Sequence, residues 1–471
     1  MSNHIKTDLC IIGGGSGGLS VAAGAVQMGA DVVLVEGHKM GGDCLNYGCV
    51  PSKALIAAGK HAHAMTTGRK FGVVPVIPRV DYAAAKDHVR SVIAGIEPHD
   101  SVERFERLGV KVIEAFGSFI SPTELQAGNI IITARRFVIS TGSSPLVPPI
   151  PGLDDVPYYT NEDIFDLREQ PKHLIVIGGG PIGMEMAQTH HRLGSGVTVL
   201  EGAKALGNDD PEAVAVVLEN IRAEGVEIVE DAIVSAVYGK AGSIQVETKD
   251  GLTYTGSHLL VAVGRQPNLE KLNLASAGIA SLSGGIKVDA SLKTTNKKVY
   301  AIGDVTAGLQ FTHVAGYHAG VVIRSALFGL RSKQRTDHIP WATYTEPELA
   351  QVGLTEAQAL DVYGKKLEVV KFNYDANDRA RAELKTKGFV KVMVVKGKPL
   401  GATIAGAQAG ELIQVWALAI ANKMKMRAVV GMVSPYPTLG EVNKCVAGSY
   451  FAPSLFESGF LKRFVRFVQW F

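Results

Sequence analysis

Two stretches of this chain, LCIIGGGSGG from Leu9 and LIVIGGGPIG from Leu174, repeat each other at an offset of 165 residues. Each reads as an apolar strand, a glycine turn and a helix. The glycines fall at Gly13, Gly15 and Gly18 in the first copy and at Gly178, Gly180 and Gly183 in the second. Each copy reaches, 23 residues after its first glycine, an acid that ends a second apolar strand: Glu36 in DVVLVEG and Glu201 in GVTVLEG. Such glycines let backbone N–H groups approach a pyrophosphate at the positive end of a helix, and the acid is placed to hydrogen-bond a ribose. One glycine turn of this kind is a common connection, but two in register, each with its acid, predict two dinucleotide-binding βαβ units.

A chain of 471 residues has room for about three domains. The reading is an α/β fold with two Rossmann-like dinucleotide-binding domains and a C-terminal α+β dimerisation domain. The boundaries expected are 1–150 for the first nucleotide domain, 151–275 for the second, 276–337 for the remainder of the first and 338–471 for the interface domain. After the second repeat come AVGRQPN at 262–268 and VYAIGDV at 299–305, and from about His338 the pattern changes to mixed strand and helix. At the end of its second strand the second unit carries Glu201, Gly202, Ala203 and Lys204. An acid there repels a 2′-phosphate, so NAD(H) is favoured over NADP(H), with Lys204 arguing the other way.

Composition narrows the class. Hydrophobic residues make up 46% and charged residues 20%, as in globular proteins. The net charge is +3 with no long basic run in the body of the chain, so nucleic acid is not an expected partner. The N-terminus reads as six polar or neutral residues leading into a strand and lacks the marks of a signal peptide. No apolar run approaches the ~18 to 20 residues of a membrane span. A cytoplasmic location is expected. Four cysteines, at 10, 44, 49 and 445, are too few for a secreted disulfide scaffold, and in a reducing compartment a close pair points to catalysis.

Cys44 and Cys49 form that pair, in GGDCLNYGCVPSKAL. The spacing suggests two sulfurs meeting across one widened helical turn, and a helix N-terminus favours thiolate. Two buried cysteines that merely pack are the plain alternative, made less natural by the neighbouring nucleotide unit and by Lys53 four residues on.

The segment GGDCLNYGCVPSK resembles the active-site signature of the flavoprotein disulfide reductases. The likeness runs through ISTGSSP at 139–145, VGRQPN, AIGDV, YTEPELAQVG at 344–353 and YPTLGE at 436–441. It implies FAD in the first unit, with Glu36 on the adenosine ribose, Gly303 and Asp304 at the ribityl chain, and Thr141 and Gly142 along the cofactor. It also implies NAD in the second unit, with Gly264 and Arg265 bordering it. Cys49 matches the sulfur that stacks on the flavin and Cys44 the outer sulfur that attacks substrate. Lys53 and Glu185 match an ion pair near the reactive flavin nitrogen. The implied chemistry is a relay in a homodimer: hydride from NADH enters at one flavin face, and electrons leave through the disulfide to a small-molecule or protein disulfide.

The chain departs from that family at SPYPTLGE. Tyr436 stands where dihydrolipoyl and glutathione members place a histidine base supplied by the other subunit, while Glu441 is retained. A phenol with a pKa of about 10 is a poor base at neutral pH but can donate a hydrogen bond or position a soft ligand. Mercuric reductases resemble the chain in this tyrosine but add a C-terminal cysteine pair, whereas Cys445 stands alone, as a buried helix cysteine or a lone metal-relay thiol. Finally, LFESGFLKRFVRFVQWF at 455–471 places Phe460, Phe464, Phe467 and Phe471 on one helical face with Leu461, Val465 and Val468. Lys462, Arg466 and Gln469 fall on another. This helix is expected to cover its own dimer, or to rest on an anionic membrane surface or a partner. The leading reading is an NADH:disulfide oxidoreductase. A metal-ion or quinone reductase is the second, and a flavin-bearing docking module is a third that the intact Cys44, Cys49, Lys53 and Glu185 oppose.

Overall fold

The computed structural model describes residues 3–470; the apolar face read for the tail therefore includes one residue, Phe471, that lies outside them. Two compact units divide the chain. The first runs up to Gly178 and takes in Thr189–Leu200 and Ala232–Gln334; the second comprises Gly179–Gln188, Glu201–Asp231 and the chain from Arg335 onward.

The first unit is built on a seven-stranded sheet. Its centre is β1 (Asn3–Ile12), paired in parallel with β2 (Val32–Glu36) on one side and with Ile130–Ile139 on the other. Leu9 to Ile12 and Val32 to Val35 are unbroken apolar runs because a parallel strand covered on both faces has no solvent side to alternate toward. β1 begins earlier than the polar lead-in suggested, because its pairing with Ile130–Ile139 continues outward to Asn3↔Ile130. Helix α1 (Ser16–Gln27) follows the first glycine turn. It packs against the helix Thr312–Ala326 through glycine: a Cβ on Gly17 would sit 3.1 Å from the Ala315 Cβ. The same unit holds the parallel strands Gly196–Leu200, His173–Ile177 and His258–Val261, paired in that order.

The second unit centres on a five-stranded antiparallel sheet in the order Pro340–Thr343, Glu348–Gly353, Lys398–Gly406, Phe389–Val395, Glu368–Asn373. Trp416 anchors its helical cover, fully buried, and its indole N–H donates to Asn443 at 2.8 Å. A buried cation, Lys391, is held by Asp210, Glu212 and Glu356 at 2.7–3.1 Å, which meets the requirement that a buried charge be fully partnered. Among the described residues no helix is long and apolar enough to cross a membrane.

Candidate active site

The two glycine turns are near copies in three dimensions as well as in sequence. Gly13 and Gly178 both adopt φ +108°, and at each a Cβ would lie 2.4 Å from the carbonyl oxygen of a neighbouring segment, Ser140 or Ala262. The next N–H in each copy is taken by the expected acid: Gly14 donates to Glu36, and Gly179 donates to Glu201 at 2.7 Å. Each carboxylate also accepts a second N–H two residues on, from His38 or Ala203. Both acids are thus fixed at their strand ends before any ribose arrives.

The third glycine has a different task. A Cβ on Gly18 would stand 1.9 Å from the Gly13 oxygen, so α1 can lie this close to the turn only with glycine there. Gly15 instead faces open space, its nearest obstacle being the Gly42 Cα at 3.8 Å, and it caps α1 without a side-chain acceptor. An uncapped, roomy helix N-terminus whose positive end meets no carboxylate of the first turn suits a pyrophosphate, so the first unit fits the ADP half of FAD. Gly180 likewise faces open space, and Gly183 lies on the helix Pro181–Arg192.

Three sequence motifs converge beside the first unit. Asn268 of VGRQPN holds Thr141 and Gly142 from both sides, accepting at its own carbonyl from the Thr141 hydroxyl (2.9 Å) and donating its N–H to the Gly142 oxygen (3.0 Å). Gly142, Gly264 and Gly303 all carry positive φ, at +66°, +140° and +68°. Ser143 donates to Asp304 at 2.8 Å and accepts from Arg265 at 2.7 Å. Burial raises the Asp304 carboxyl above the usual carboxylate range. Arg265, read as bordering the NAD nucleotide, also donates to the Ser143 oxygen and pairs with Asp43 at 3.0 Å, which ties it to the cysteine loop.

That loop corrects the expectation of one widened turn. Cys44 lies on a short helix, α2 (Gly42–Asn46), which stops at Tyr47 and Gly48, and Cys49 opens a separate helix, α3 (Cys49–Thr66). Gly41 and Gly42 carry φ of +84° and +60°, and a Cβ on Gly42 would come within 2.7 Å of the Gly15 Cα, so α2 is pressed against the first glycine turn. The cysteines are present as free thiols and share a hydrogen bond.

The two sulfurs are electrostatically unequal. The hydrogen bond from Cys44 lowers the Cys49 thiol to about 6, with the Thr312 hydroxyl and the Lys53 charge acting in the same sense and burial opposing them. Being hydrogen-bonded to Cys49 pushes the Cys44 thiol well above its ordinary value, reinforced by burial. Cys49 is also the first residue of its helix, where the dipole favours an anion. Thr312, whose Oγ1 lies 3.3 Å from the Cys49 sulfur, was not singled out from sequence. It opens the helix that follows AIGDV, 263 residues away in the chain, and that distance is why no local signal marked it.

Replacing Thr312 with valine removes a hydrogen bond to a charged group, the kind that contributes ~1.5 to 3 kcal/mol. The Cys49 titration should therefore move upward from about 6 by roughly one to two units. The thiolate persists above its pKa and is lost as pH falls through it. In the two-electron-reduced protein the long-wavelength thiolate–flavin absorbance should accordingly disappear at higher pH in the variant than in the wild type, and an unchanged midpoint would remove Thr312 from this role.

The remaining site residues lie as follows. Lys53 is one turn along α3 from Cys49 and donates to Ser52. Glu185 is buried, and accepts the Tyr344 N–H at 2.9 Å. Tyr436 is 72% exposed and donates its hydroxyl to Asp378 at 2.9 Å, which raises its pKa further above the ordinary phenol value. Glu441 is the first residue of the helix Glu441–Phe456 and accepts from the Thr438 N–H at 3.5 Å. Cys445 is on the same helix and half-buried rather than fully enclosed.

Comparison with known proteins places this geometry. Residues 7–319 match the pyridine nucleotide-disulphide oxidoreductase family, and residues 339–446 match the dimerisation domain of that family. The chain belongs to this family. It is 34% identical to a mercuric reductase of Bacillus cereus over 92% of its length and 70% of the relative's. It is 30% identical to a dihydrolipoyl dehydrogenase of Bacillus subtilis (strain 168) over 92% and 96%. The solved Cu(II) complex of the HOCl-induced flavoprotein disulfide reductase RclA from Escherichia coli superposes with a TM-score of 0.84 at 28% identity, covering 94% of this chain and 99% of that one. The protein is thus an oxidoreductase with the flavoprotein disulfide reductase fold and uses FAD and a nicotinamide dinucleotide. Its dimerisation domain supports a homodimer.

Proposed function

We propose that Cys49 and Cys44 are the inner and outer sulfurs of an NADH-driven reductase whose acceptor needs no base beyond the cysteine pair itself. The observation that carries the reading is the inequality of the two thiols: one is held as thiolate by Cys44, Thr312 and Lys53, and the other keeps its proton. Glu36 and Asp304 would hold the ribose and ribityl hydroxyls of FAD, with Lys53 as a charged group near its reactive nitrogen. That cofactor, when bound, would supply two-electron chemistry linking NADH to the Cys44–Cys49 disulfide. With a disulfide acceptor, the chain's own chemistry is two exchanges. Cys44 passes its proton to Cys49 as it attacks, forming a mixed disulfide and releasing one thiolate, which takes a proton from solvent. Cys49 then loses to solvent the proton it received, attacks the Cys44 sulfur of the mixed disulfide, expels the second thiolate and restores the Cys44–Cys49 bond.

NADH is favoured over NADPH by the second unit. Glu201 stands fixed at its strand end, and Lys204, which could have met a 2′-phosphate, is paired with Asp231 at 2.7 Å.

The leading acceptor is a disulfide. A second reading, reduction of a soft metal ion, is favoured by Tyr436, whose hydroxyl is directed to Asp378 and is no base. Oxidising a dithiol requires that its proton be removed, whereas reducing an acceptor starts from a sulfur that is already ionised or shares its proton internally, so loss of the base penalises the two directions unequally. A steady-state panel of NADH oxidation with lipoamide, glutathione disulfide, mercuric ion and a soluble quinone separates the readings. Tyr436→His should raise dihydrolipoamide oxidation by roughly a hundredfold, the lower end of what a positioned base supplies. Turnover with mercuric ion alone among the four would displace the disulfide reading.

A further inference from the structure

We infer that the C-terminal helix Gly459–Val468 is a docking element for an anionic phospholipid bilayer. This rests on the tail alone and is independent of the acceptor. The preceding helix ends at Phe456, and Ser458 starts a new one by accepting the Leu461 N–H at 3.3 Å, so the tail is a separate capped helix about 15 Å long. Phe460, Phe464 and Phe467 recur one and two turns apart on one face and are 76%, 54% and 61% exposed. A soluble surface rarely keeps this much large apolar side chain exposed on one helix. Lys462, Arg463 and Arg466 are exposed on the remaining arc, and no carboxylate occurs between Ser458 and Trp470.

An aromatic face beneath three cations is the pattern that lies in a headgroup layer, rings toward the acyl chains and cations toward lipid phosphates. A second copy of the chain is the competing occupant. One observation opposes it: the match to the dimerisation domain ends at residue 446, before this helix begins.

The test uses the full-length, flavin-loaded protein and vesicles of phosphatidylcholine, either pure or with one-third phosphatidylserine. The protein should float with the serine-containing vesicles only, and 0.5 M salt should weaken the association. Trp470 is 88% exposed while Trp416 is fully buried, so binding should also shift tryptophan emission to the blue, and Trp470→Phe should remove the shift without removing flotation. Replacing Lys462 and Arg466 together with glutamine should weaken partitioning about thirtyfold, at ~1 kcal/mol for each cation. Phe464→Ser should weaken it by a similar factor while flavin content stays at the wild-type level. The proposal is overturned if the protein ignores anionic vesicles at low salt, or if it binds neutral and anionic vesicles alike. It is also overturned if Phe464→Ser turns a dimer into a monomer in the absence of lipid, which would show that the face seals a subunit contact.

Discussion

Replacing Cys49 by serine is expected to abolish the long-wavelength thiolate–flavin absorbance of the reduced protein and to lower disulfide reduction by on the order of a thousandfold or more. Cys44→Ser should be equally inactive but spectrally opposite. In that variant Cys49 keeps Thr312 and Lys53 as neighbours, and a serine hydroxyl can still donate from position 44, so a thiolate should exist at neutral pH even before any reductant is added. In Cys49→Ser the surviving thiol is Cys44, which burial and the Asp43 charge hold in its protonated form, so no thiolate is available to interact with the flavin. The sign of the pH effect follows. A depressed pKa means the anion is present at neutral pH and disappears only as acid carries the solution through about 6, so the Cys44→Ser absorbance should be constant from pH 7 to 9 and fade below that. Absorbance titrations of the two variants at equal flavin content decide the matter: a band in Cys49→Ser, or none in Cys44→Ser, would exchange the roles of the two sulfurs.

The contrast between these variants also shows which parts of the site local sequence could carry. The glycine turns and their acids were legible because every partner lies within one βαβ unit: Gly14 reaches Glu36 across 22 residues, and Gly179 reaches Glu201 across the same number. Spacing alone encodes such a unit. The cysteine motif was legible as a pair, yet its shape was not, since the break at Tyr47 and Gly48 depends on Gly42 lying against Gly15, and Asp43 is engaged by Asn161 and Arg265 from far along the chain. Thr312 lies in none of the motifs read from the sequence, while Ser143 and Asn268 lie inside ISTGSSP and VGRQPN without being singled out there. Each meets its partner across more than 100 residues of chain, a separation that no local pattern encodes. The tail is the converse case, where periodicity made the amphipathic helix plain and only the structure could show how far Phe460 and Phe464 stay exposed.

Gly18→Ala should be strongly damaging, and the reason separates protein packing from ligand binding. A Cβ 1.9 Å from the Gly13 oxygen cannot be absorbed by a side-chain rotation, because both partners are backbone: one belongs to the turn and the other to α1. The helix must move off the strand that it caps, at a cost on the order of 3 kcal/mol or more, and the N–H groups at its start move with it. Flavin should therefore be lost or released at a much lower temperature, as followed by the rise of free-flavin fluorescence on heating. Two neighbours supply the comparison. Gly95→Ala adds its methyl in open space within the helix Tyr82–Ile96 and should be neutral or stabilise by about 0.5 to 1 kcal/mol. Gly15→Ala also meets no protein atom closer than 3.8 Å, so the apo fold should tolerate it, and any loss of flavin affinity there arises from the pyrophosphate that shares the space. Far-ultraviolet circular dichroism of the flavin-free proteins then distinguishes the mechanisms: Gly18→Ala should unfold earlier even without flavin, whereas Gly15→Ala should match the wild type until flavin is added. Wild-type flavin retention in Gly18→Ala would mean that α1 does not approach the turn as closely as the geometry requires.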